Sequence, residues 1–309
     1  MRIVFFGTPA FAVPTLQALL AERADVAGVV TQPDRPRGRS RSTLVPPPVK
    51  ELARAHGLEV LQPEKPAGDV FLQHLRHWHP ELGVVVAYGH LLPPSVLGLP
   101  SRGMINVHAS LLPALRGAAP VQHAILRGDT TTGVTIMQMD RGMDSGDILH
   151  QVETPIEPDE TGGELTLRLA RLGADALLEA LALMRLGRLP RRPQNGADAT
   201  FAPKIDRSLA RIDWSDSAEA VTRKIRAFDP VPAAWTTIAG SDLKVFGPRV
   251  LEASGAAGTI LATHPALRVA AGRGAVEIAE VQPAGRPRMS AVAWARGRAD
   301  RLRGGARFA

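Results

Sequence analysis

Two polar side chains interrupt an apolar segment at the spacing of a strand. Residues 104–108 read Met-Ile-Asn-Val-His and predict a strand, so Asn106 and His108 point to the same face because strand side chains alternate. Buried without partners, each group costs about 1–3 kcal/mol, so we expect both at an open strand end where a ligand can satisfy them. From the spacing alone, hydrogen bonds that only cap the following turn remain an open alternative.

A carboxylate follows the next strand-like segment. Residues 134–140 predict a strand that runs into a glycine-containing loop, and we expect this loop to deliver Asp144 near the same sheet edge as His108. A carboxylate beside an imidazole orients the ring and stabilises its cation. Asp140 and Asp147, each taken singly, are typical of turns, and that alternative stays open.

An amide, an imidazole and a carboxylate suit acyl transfer between two bound substrates. The trio has no obvious nucleophile, which argues against a covalent enzyme. When an amine attacks a formyl carbonyl, Asn106 and protonated His108 can stabilise the resulting oxyanion, and loss of one such donor typically lowers the rate by about 100- to 1,000-fold. Asp144 can receive, directly or through water, the proton that the amine loses.

Alternating strand-like and helix-like segments must position these groups. The pattern is typical of an α/β protein with a Rossmann-like, mostly parallel sheet covered on both faces, in which ligands gather at the carboxyl ends of the strands. The predicted strands are 2–6, 26–31, 82–87, 103–108 and 132–139, and the predicted helices are 10–21, 47–56, 69–78, 118–127 and about 163–186.

The pattern changes after residue 187. A stretch rich in glycine and proline without a sustained period predicts a linker. One amphipathic helix at about 215–227 then precedes six short strand-like runs, which predict a small OB-like β-barrel. We therefore expect a catalytic domain at 1–188, a basic linker at 189–207 and a second domain at 208–309.

The net positive charge of the chain comes entirely from its last third. Residues 204–309 hold 17 Lys and Arg against 10 Asp and Glu, whereas residues 1–203 hold 20 of each. A basic module beside a neutral domain is typical of polyanion binding, because each neutralised phosphate releases counterions. An arginine-rich surface that reflects a GC-rich genome explains the charge equally well.

The absence of cysteine excludes a disulfide scaffold, a thiolate metal site and a cysteine nucleophile. The sequence shows neither a signal-peptide core nor an apolar run that would span a bilayer. We expect a cytoplasmic protein that does not contact membranes. His74, His77 and His79 have helical spacing, but no fourth ligand stands nearby, so we expect no metal.

Three motifs together resemble a known family. They are Asn-Val-His at 106–108 followed by Ser-Leu-Leu-Pro at 110–113, Val-Val-Ala-Tyr-Gly at 85–89, and Asp-x-Gly-x-Asp-x-Gly-Asp from Asp140. The chain resembles 10-formyltetrahydrofolate-dependent formyltransferases up to about residue 190, and methionyl-tRNA formyltransferases over essentially its full length. The resemblance implies 10-formyltetrahydrofolate as formyl donor and Asn106, His108 and Asp144 as catalytic residues. It implies that the residues surrounding the folate are Tyr88, Gly89, Ser110, Leu111, Leu112, Pro113 and Asp140.

Three further segments resemble the tRNA-acting subfamily. Residues 32–39 look like its insertion loop, residues 201–205 and 211–214 look like its basic linker, and the C-terminal domain looks like its oligonucleotide-binding barrel. The resemblance implies methionyl initiator tRNA as partner of a monomer, with contacts from Arg35, Arg37, Arg39, Arg41, Lys204 and Arg207. For the 35–41 loop, a solvated flexible loop stays open as an alternative.

Two other functions remain to be distinguished. One is a formyltransferase that acts on an amino sugar nucleotide or another small amine, and the other is a non-catalytic RNA-binding relative. The chain also departs from the family pattern at several positions. Ser40 replaces glycine, Phe201 replaces tyrosine, Asp229 replaces asparagine, and Ala114-Leu115 replaces a basic–aromatic pair.

Overall fold

The computed structural model describes residues 1–37, 43–298, 302 and 306–309. It divides the chain into two compact units. The first unit comprises residues 1–120, 131–155 and 166–202. The second unit comprises residues 121–130, 156–165 and 203–309. The domain limits expected at residues 188 and 207 stay a prediction.

Nine strands of the described chain lie in the first unit. In chain order the strands are β1 (Arg2–Gly7), β2 (Asp25–Val30), β3 (Arg35–Arg37), β4 (Thr43–Val45), β5 (Val60–Leu61), β6 (Leu82–Val86), β7 (Met104–His108), β8 (Thr131–Gln138) and β9 (Ile148–Pro155). Seven of them form one sheet in the order β5-β2-β1-β6-β7-β8-β9, and β3 pairs only with β4.

One strand of this sheet, β8, runs against the direction of the other six. The pairs from β5 to β7 are parallel, whereas β8 pairs antiparallel with β7, and β9 antiparallel with β8. All five residues of β6 are buried, as expected for a strand covered on both faces. The predicted Rossmann-like, mostly parallel sheet is confirmed.

The five helices predicted before residue 187 lie close to their predicted positions. In chain order the elements up to residue 202 are a 3-10 turn (Ala10–Ala12), α1 (Val13–Ala21), α2 (Pro48–Ala55), α3 (Asp69–His77), α4 (Pro94–Leu97), α5 (Pro120–Arg127), α6 (Gly162–Arg185) and a second 3-10 turn (Gly196–Asp198). The sequence did not predict α4 or the second 3-10 turn. A capping box starts α6, since Thr161 N donates to Glu164 Oε2 at 2.9 Å and Glu164 N donates to Thr161 Oγ1 at 3.2 Å. None of the described helices combines the length and apolar character needed to cross a membrane.

The second unit carries an antiparallel sheet that curls into a half-barrel, which confirms the predicted OB-like fold class. From residue 203 its elements are α7 (Ala218–Phe228), β10 (Trp235–Ile238), β11 (Ser241–Leu251), β12 (Ile260–Ala262), β13 (Leu267–Ala270), β14 (Ala275–Pro283), β15 (Met289–Ser290) and α8 (Ala291–Arg296). The strand order of the sheet is β10-β11-β14-β13-β12, with β15 paired to β14.

One expected break in this sheet is absent. The sequence predicts separate strands at 242–246 and 249–252, divided by Gly247-Pro248, but both belong to β11. Phe246 pairs with Glu280 and Pro248 with Ile278, so the ladder continues past the glycine. A Cβ added at Gly247 would lie 2.9 Å from Ala279 Cβ, so the glycine serves a close strand approach and not a turn.

Aromatic rings from distant parts of the second unit form its core. Phe308 is 2% exposed, with its ring centroid 5.6 Å from that of Trp214 and 6.3 Å from that of Trp294. The backbone of Ala309 pairs with Thr237 in both directions, at 2.9 and 3.0 Å. The last residues of the chain therefore close the core of this unit.

Candidate active site

His108 is held in one orientation at the end of β7. The side chain is 6% exposed, and its Nδ1 lies 3.7 Å from Asp144 Oδ2. Its Nε2 lies 3.0 Å from the carbonyl oxygen of Leu115. Because a carbonyl oxygen only accepts, Nε2 carries a proton and donates it, which leaves Nδ1 as the ring atom that faces the carboxylate.

The loop after β8 brings Asp144 to His108. β8 runs antiparallel to β7, so Thr135 stands opposite His108 and Gln138 stands opposite Ile105. β8 therefore ends beside the start of β7, and the loop after it must fold back to bring Asp144 to the imidazole. The loop therefore places Asp144 beside His108, as the sequence pattern predicts, with Asp144 Oδ2 3.7 Å from His108 Nδ1.

Internal hydrogen bonds shape the loop that carries Asp144. Asp140 Oδ1 accepts from Gly142 N and from Ser145 Oγ, both at 2.9 Å, which is the turn role left open for this aspartate. Asp144 itself has a φ of 50°, a left-handed conformation that aspartate tolerates better than most residues. Its Oδ2 accepts a 2.8 Å hydrogen bond from the backbone N–H of Gly117.

The segment from Ser110 to Pro113 is fastened to β8 by one hydroxyl. Thr135 Oγ1 donates to the Ser110 carbonyl at 2.7 Å and accepts from Leu112 N at 3.0 Å. Leu112 is 3% exposed and packs in a small apolar cluster with Met137 and Ile148, while Leu111 and Pro113 are half-buried. Folate contacts of these residues, and of Asp140, stay predictions.

Part of the predicted linker packs on the site. Leu115 N donates to Thr200 Oγ1 at 2.9 Å, and Arg116 N donates to the Thr200 carbonyl at 2.8 Å. Gly117 has a φ of 118°, and a Cβ there would lie 2.7 Å from the Ala202 carbonyl oxygen. The sequence did not predict these contacts, because residues 194–202 show no periodic pattern of hydrophobic residues that would indicate a packed element. Since His108 bonds only the backbone of Leu115, the Ala114-Leu115 departure leaves that contact intact.

Asn106 has the placement that the strand pattern predicts. It lies on β7 opposite Met137, two residues before His108, and is half-buried. Its side-chain amide makes no hydrogen bond to any part of the chain that the structure describes. The amide can therefore meet a ligand without first breaking an internal contact.

The Tyr88–Gly89 turn packs tightly against Gln32. The Tyr88 carbonyl accepts from Thr8 Oγ1 and from Gln32 Nε2, each at 3.0 Å, and a Cβ at Gly89 would lie 2.5 Å from Gln32 Nε2. The Tyr88 ring is 2% exposed, and burial raises the pKa of Tyr88 to about 12. Its hydroxyl is buried with no hydrogen-bond partner among the described residues.

A buried ion pair anchors the start of the basic loop. Lys50 Nζ lies 2.6 Å from Asp34 Oδ1, and the Lys50 side chain is 6% exposed. Hydrogen bonds from Gln62 and Lys50 hold the pKa of Asp34 below its usual value. Arg35 is exposed and donates to Gln32 Oε1 at 3.0 Å. Arg37 belongs to β3, whereas the predicted Arg39 and Arg41 lie outside the described residues.

Two arginines make cation–π contacts with one tryptophan of the second unit. Arg207 and Arg211 lie over the half-exposed Trp235 ring, at 4.7 and 5.7 Å from its centroid. Arg207 also pairs with Asp242, and Lys204 is exposed. The expectation that the tryptophans serve packing holds for the other three, which are buried, but the sequence did not identify this Arg–Trp surface.

The Asp229 departure has a local partner. Arg288 donates from Nη1 to Asp229 Oδ1 at 3.1 Å, and its guanidinium lies 4.0 Å from the Phe246 ring centroid. A carboxylate in place of an amide adds charge to this contact. Separately, the described residues contain no group of three or more histidine, aspartate or glutamate side chains placed to hold a metal.

Comparison with known proteins gives the site its context. A family model described as formyl transferase matches residues 1–181, and one described as formyl transferase, C-terminal domain, matches residues 204–299. The methionyl-tRNA formyltransferase of Methylococcus capsulatus is 48% identical to this chain and aligns with 94% of this chain and 95% of its own length.

Two solved structures share the fold. HypX from Aquifex aeolicus, crystallised with tetrahydrofolic acid, matches with a TM-score of 0.67 at 21% identity, covering 99% of this chain and 48% of HypX. The methionyl-tRNA formyltransferase from Clostridium thermocellum matches with a TM-score of 0.57 at 14% identity, covering 81% of this chain and 93% of that protein. At such identities these two likenesses show the fold alone. The two family models and the 48% identity, taken together, show that this chain belongs to the methionyl-tRNA formyltransferases of the formyl transferase family.

Proposed function

We propose that this protein transfers the formyl group of 10-formyltetrahydrofolate to the amino group of methionine on initiator tRNA, in the cytoplasm and for translation initiation. The observation that carries the proposal is the meeting of His108 and Asp144 next to Asn106, in a chain 48% identical to a methionyl-tRNA formyltransferase across 94% of its length. The site combines an amide, an imidazole and a carboxylate, and these groups suit acyl transfer to an amine.

The residues around the site fit a folate co-substrate. The Asn106 amide makes no hydrogen bond within the described chain, and the Tyr88–Gly89 turn follows β6 at the same sheet edge, because β6 and β7 are parallel neighbours. We assign the formyl oxygen to the Asn106 amide and to His108. Tyr88, Gly89, Ser110, Leu111, Leu112, Pro113 and Asp140 form the predicted folate surroundings.

The roles assigned to His108 and Asp144 depend on which of their side-chain atoms already form hydrogen bonds within the protein. His108 Nε2 donates to Leu115, so Nδ1, when protonated, is the atom that can donate to the developing oxyanion. Asp144 Oδ2 is held by Gly117 N–H, while its Oδ1 makes no hydrogen bond to the described residues. Oδ1 can take the proton that the amine loses when its new bond to the formyl carbon forms. The same proton can pass to the folate nitrogen when the old bond breaks.

The acceptor assignment rests on the basic surfaces. The loop that begins at Arg35 and the Arg207–Arg211–Trp235 surface offer cations and a ring face, which suit phosphates and bases of an RNA acceptor end. A small amine would need neither.

A transfer assay with purified components tests the proposal. Radiolabelled 10-formyltetrahydrofolate and charged initiator tRNA should yield formylated methionine, and an amino sugar nucleotide should yield no formylated product. Transfer to the sugar that survives deletion of residues 204–309 would favour the small-amine alternative. If the protein binds tRNA but transfers no formyl group above a blank reaction, it is a non-catalytic RNA-binding relative.

Neutralising the basic loop should weaken tRNA binding. We expect Arg37→Gln, Arg39→Gln and Arg41→Gln together to raise the KM for charged tRNA and to flatten its dependence on salt, because each lost phosphate contact lowers the salt slope by about 0.7–0.9. The measurement is KM at several salt concentrations. Glutamine at the exposed Arg23, Arg76 and Arg185 serves as the matched control. An unchanged salt slope would instead support the alternative that the loop is solvated and does not contact tRNA.

A further inference from the structure

Gln194 lies at the junction of the two loops that build the site. Its Nε2 donates to the backbone carbonyls of Asp144 and Gly146, both at 2.8 Å. Its Oε1 accepts from Arg116 Nε at 3.1 Å and from Arg116 Nη2 at 2.7 Å. Four contacts of matched polarity fix the amide orientation, since the flipped amide would set oxygen against carbonyls and NH₂ against a guanidinium.

These contacts close a ring of hydrogen bonds through the catalytic carboxylate. Asp144 Oδ2 accepts from Gly117 N–H, Gly117 follows Arg116, Arg116 donates to Gln194, and Gln194 donates to the Asp144 carbonyl. The loop after β8 is thus joined to the loop after β7 twice through Asp144. The Asp144 side chain bonds Gly117 directly, and the Asp144 backbone carbonyl is linked to Arg116 through Gln194. All members of the ring belong to the first unit.

The Asp144 loop needs such a restraint for two reasons. It must fold back from the far end of β7, because β8 is antiparallel to that strand. Asp144 also has a left-handed φ of 50°, which a free loop would readily leave. The Gln194 amide binds the carbonyls of both Asp144 and Gly146. These two hydrogen bonds hold the returning loop and the left-handed Asp144 backbone where the carboxylate faces His108.

We propose that Gln194 is a positioning residue that holds the Asp144 carboxylate beside His108 by tying the loop after β8 to Arg116. For its catalytic consequence the inference rests on the proposed function, but the geometric part does not. The sequence gives no sign of this role, since Gln194 stands in a stretch without period, 50 residues beyond Asp144 in the chain.

Kinetics of paired variants test the catalytic consequence. We expect Gln194→Leu to lower kcat by about 10- to 100-fold with nearly unchanged KM for both substrates, as misplacement of a catalytic group does. In an Asp144→Ala background the same substitution should cost little further, because it acts through that carboxylate. Gln73→Leu, at an exposed site on α3, is the matched control. Independent, multiplying effects of the two changes would overturn the inference.

Amide hydrogen exchange tests the geometry without any assay of transfer. The Gly117 N–H that donates to Asp144 should exchange at least about 10-fold faster in Gln194→Leu, as it should in Asp144→Ala, and at the native rate in Gln73→Leu. Gln194→Glu keeps the acceptor for Arg116 but loses the donor, so it should match Gln194→Leu and serves if the latter does not fold. Native exchange of Gly117 in a folded Gln194 variant refutes the positioning role. A wild-type protein without transfer activity but with these exchange rates would refute only the proposed function.

Discussion

His108→Ala should lower kcat for formyl transfer by about 100- to 1,000-fold, with little change in the affinity for charged tRNA. The imidazole is almost completely buried, with Nε2 bonded to the Leu115 carbonyl and Nδ1 facing Asp144, and its loss removes the donor that the proposed function assigns to the formyl oxygen. The Leu115 carbonyl would at the same time lose its side-chain donor. The measurement is steady-state kinetics, combined with tRNA binding by filter retention or fluorescence.

The matched control for this prediction is His74→Ala. His74 is an exposed histidine on α3, outside the loops that surround the site, so its removal should leave kcat unchanged. Full turnover in His108→Ala would exclude the oxyanion role. A fall in tRNA affinity equal to the fall in kcat would instead indicate that the whole site had collapsed.

Phe308→Ala should destabilise the second unit by about 3–5 kcal/mol, the usual effect of truncating a fully buried phenylalanine. The ring packs against both Trp214 and Trp294, and its segment is paired with Gly258 and Thr237, so neighbouring atoms have little freedom to fill the space. Urea denaturation should show a lower midpoint, and intrinsic fluorescence is a suitable probe because two tryptophans line the cavity.

The same substitution at Phe201 provides the comparison. Phe201 is 64% exposed, so Phe201→Ala should change the free energy of unfolding by no more than about 0.5 kcal/mol. Equal urea midpoints for the two variants would show that the aromatic cluster does not stabilise this unit.

Much of the fold follows from local pattern. The fully apolar run of β6 and the alternation in β7 were readable because burial on two faces or one imposes a period on the chain. β9 and the β3–β4 hairpin were not predicted, since β9 is half-exposed along most of its length and the hairpin strands are only three residues long. Short or mixed segments lack enough residues for a period to emerge.

The site was predicted less completely than the fold. Residue types and motif spacing identified Asn106, His108 and Asp144, and the structure brings the last two together. The Leu115 carbonyl and Gln194 were missed, because a backbone acceptor has no sequence signature and the linker has no period. Trp235 was assigned to packing, since a sequence cannot show which ring face remains open to arginine.

The chemical groups of the site and most of its strands and helices were readable from the chain, because they depend on residue type and on periods of a few residues. The direction of β8, the return of the Asp144 loop and the packing of residues 194–202 on the site became visible in the folded protein. Those features arise from contacts between residues about 25 to 85 positions apart, and such contacts depend on how whole elements pack.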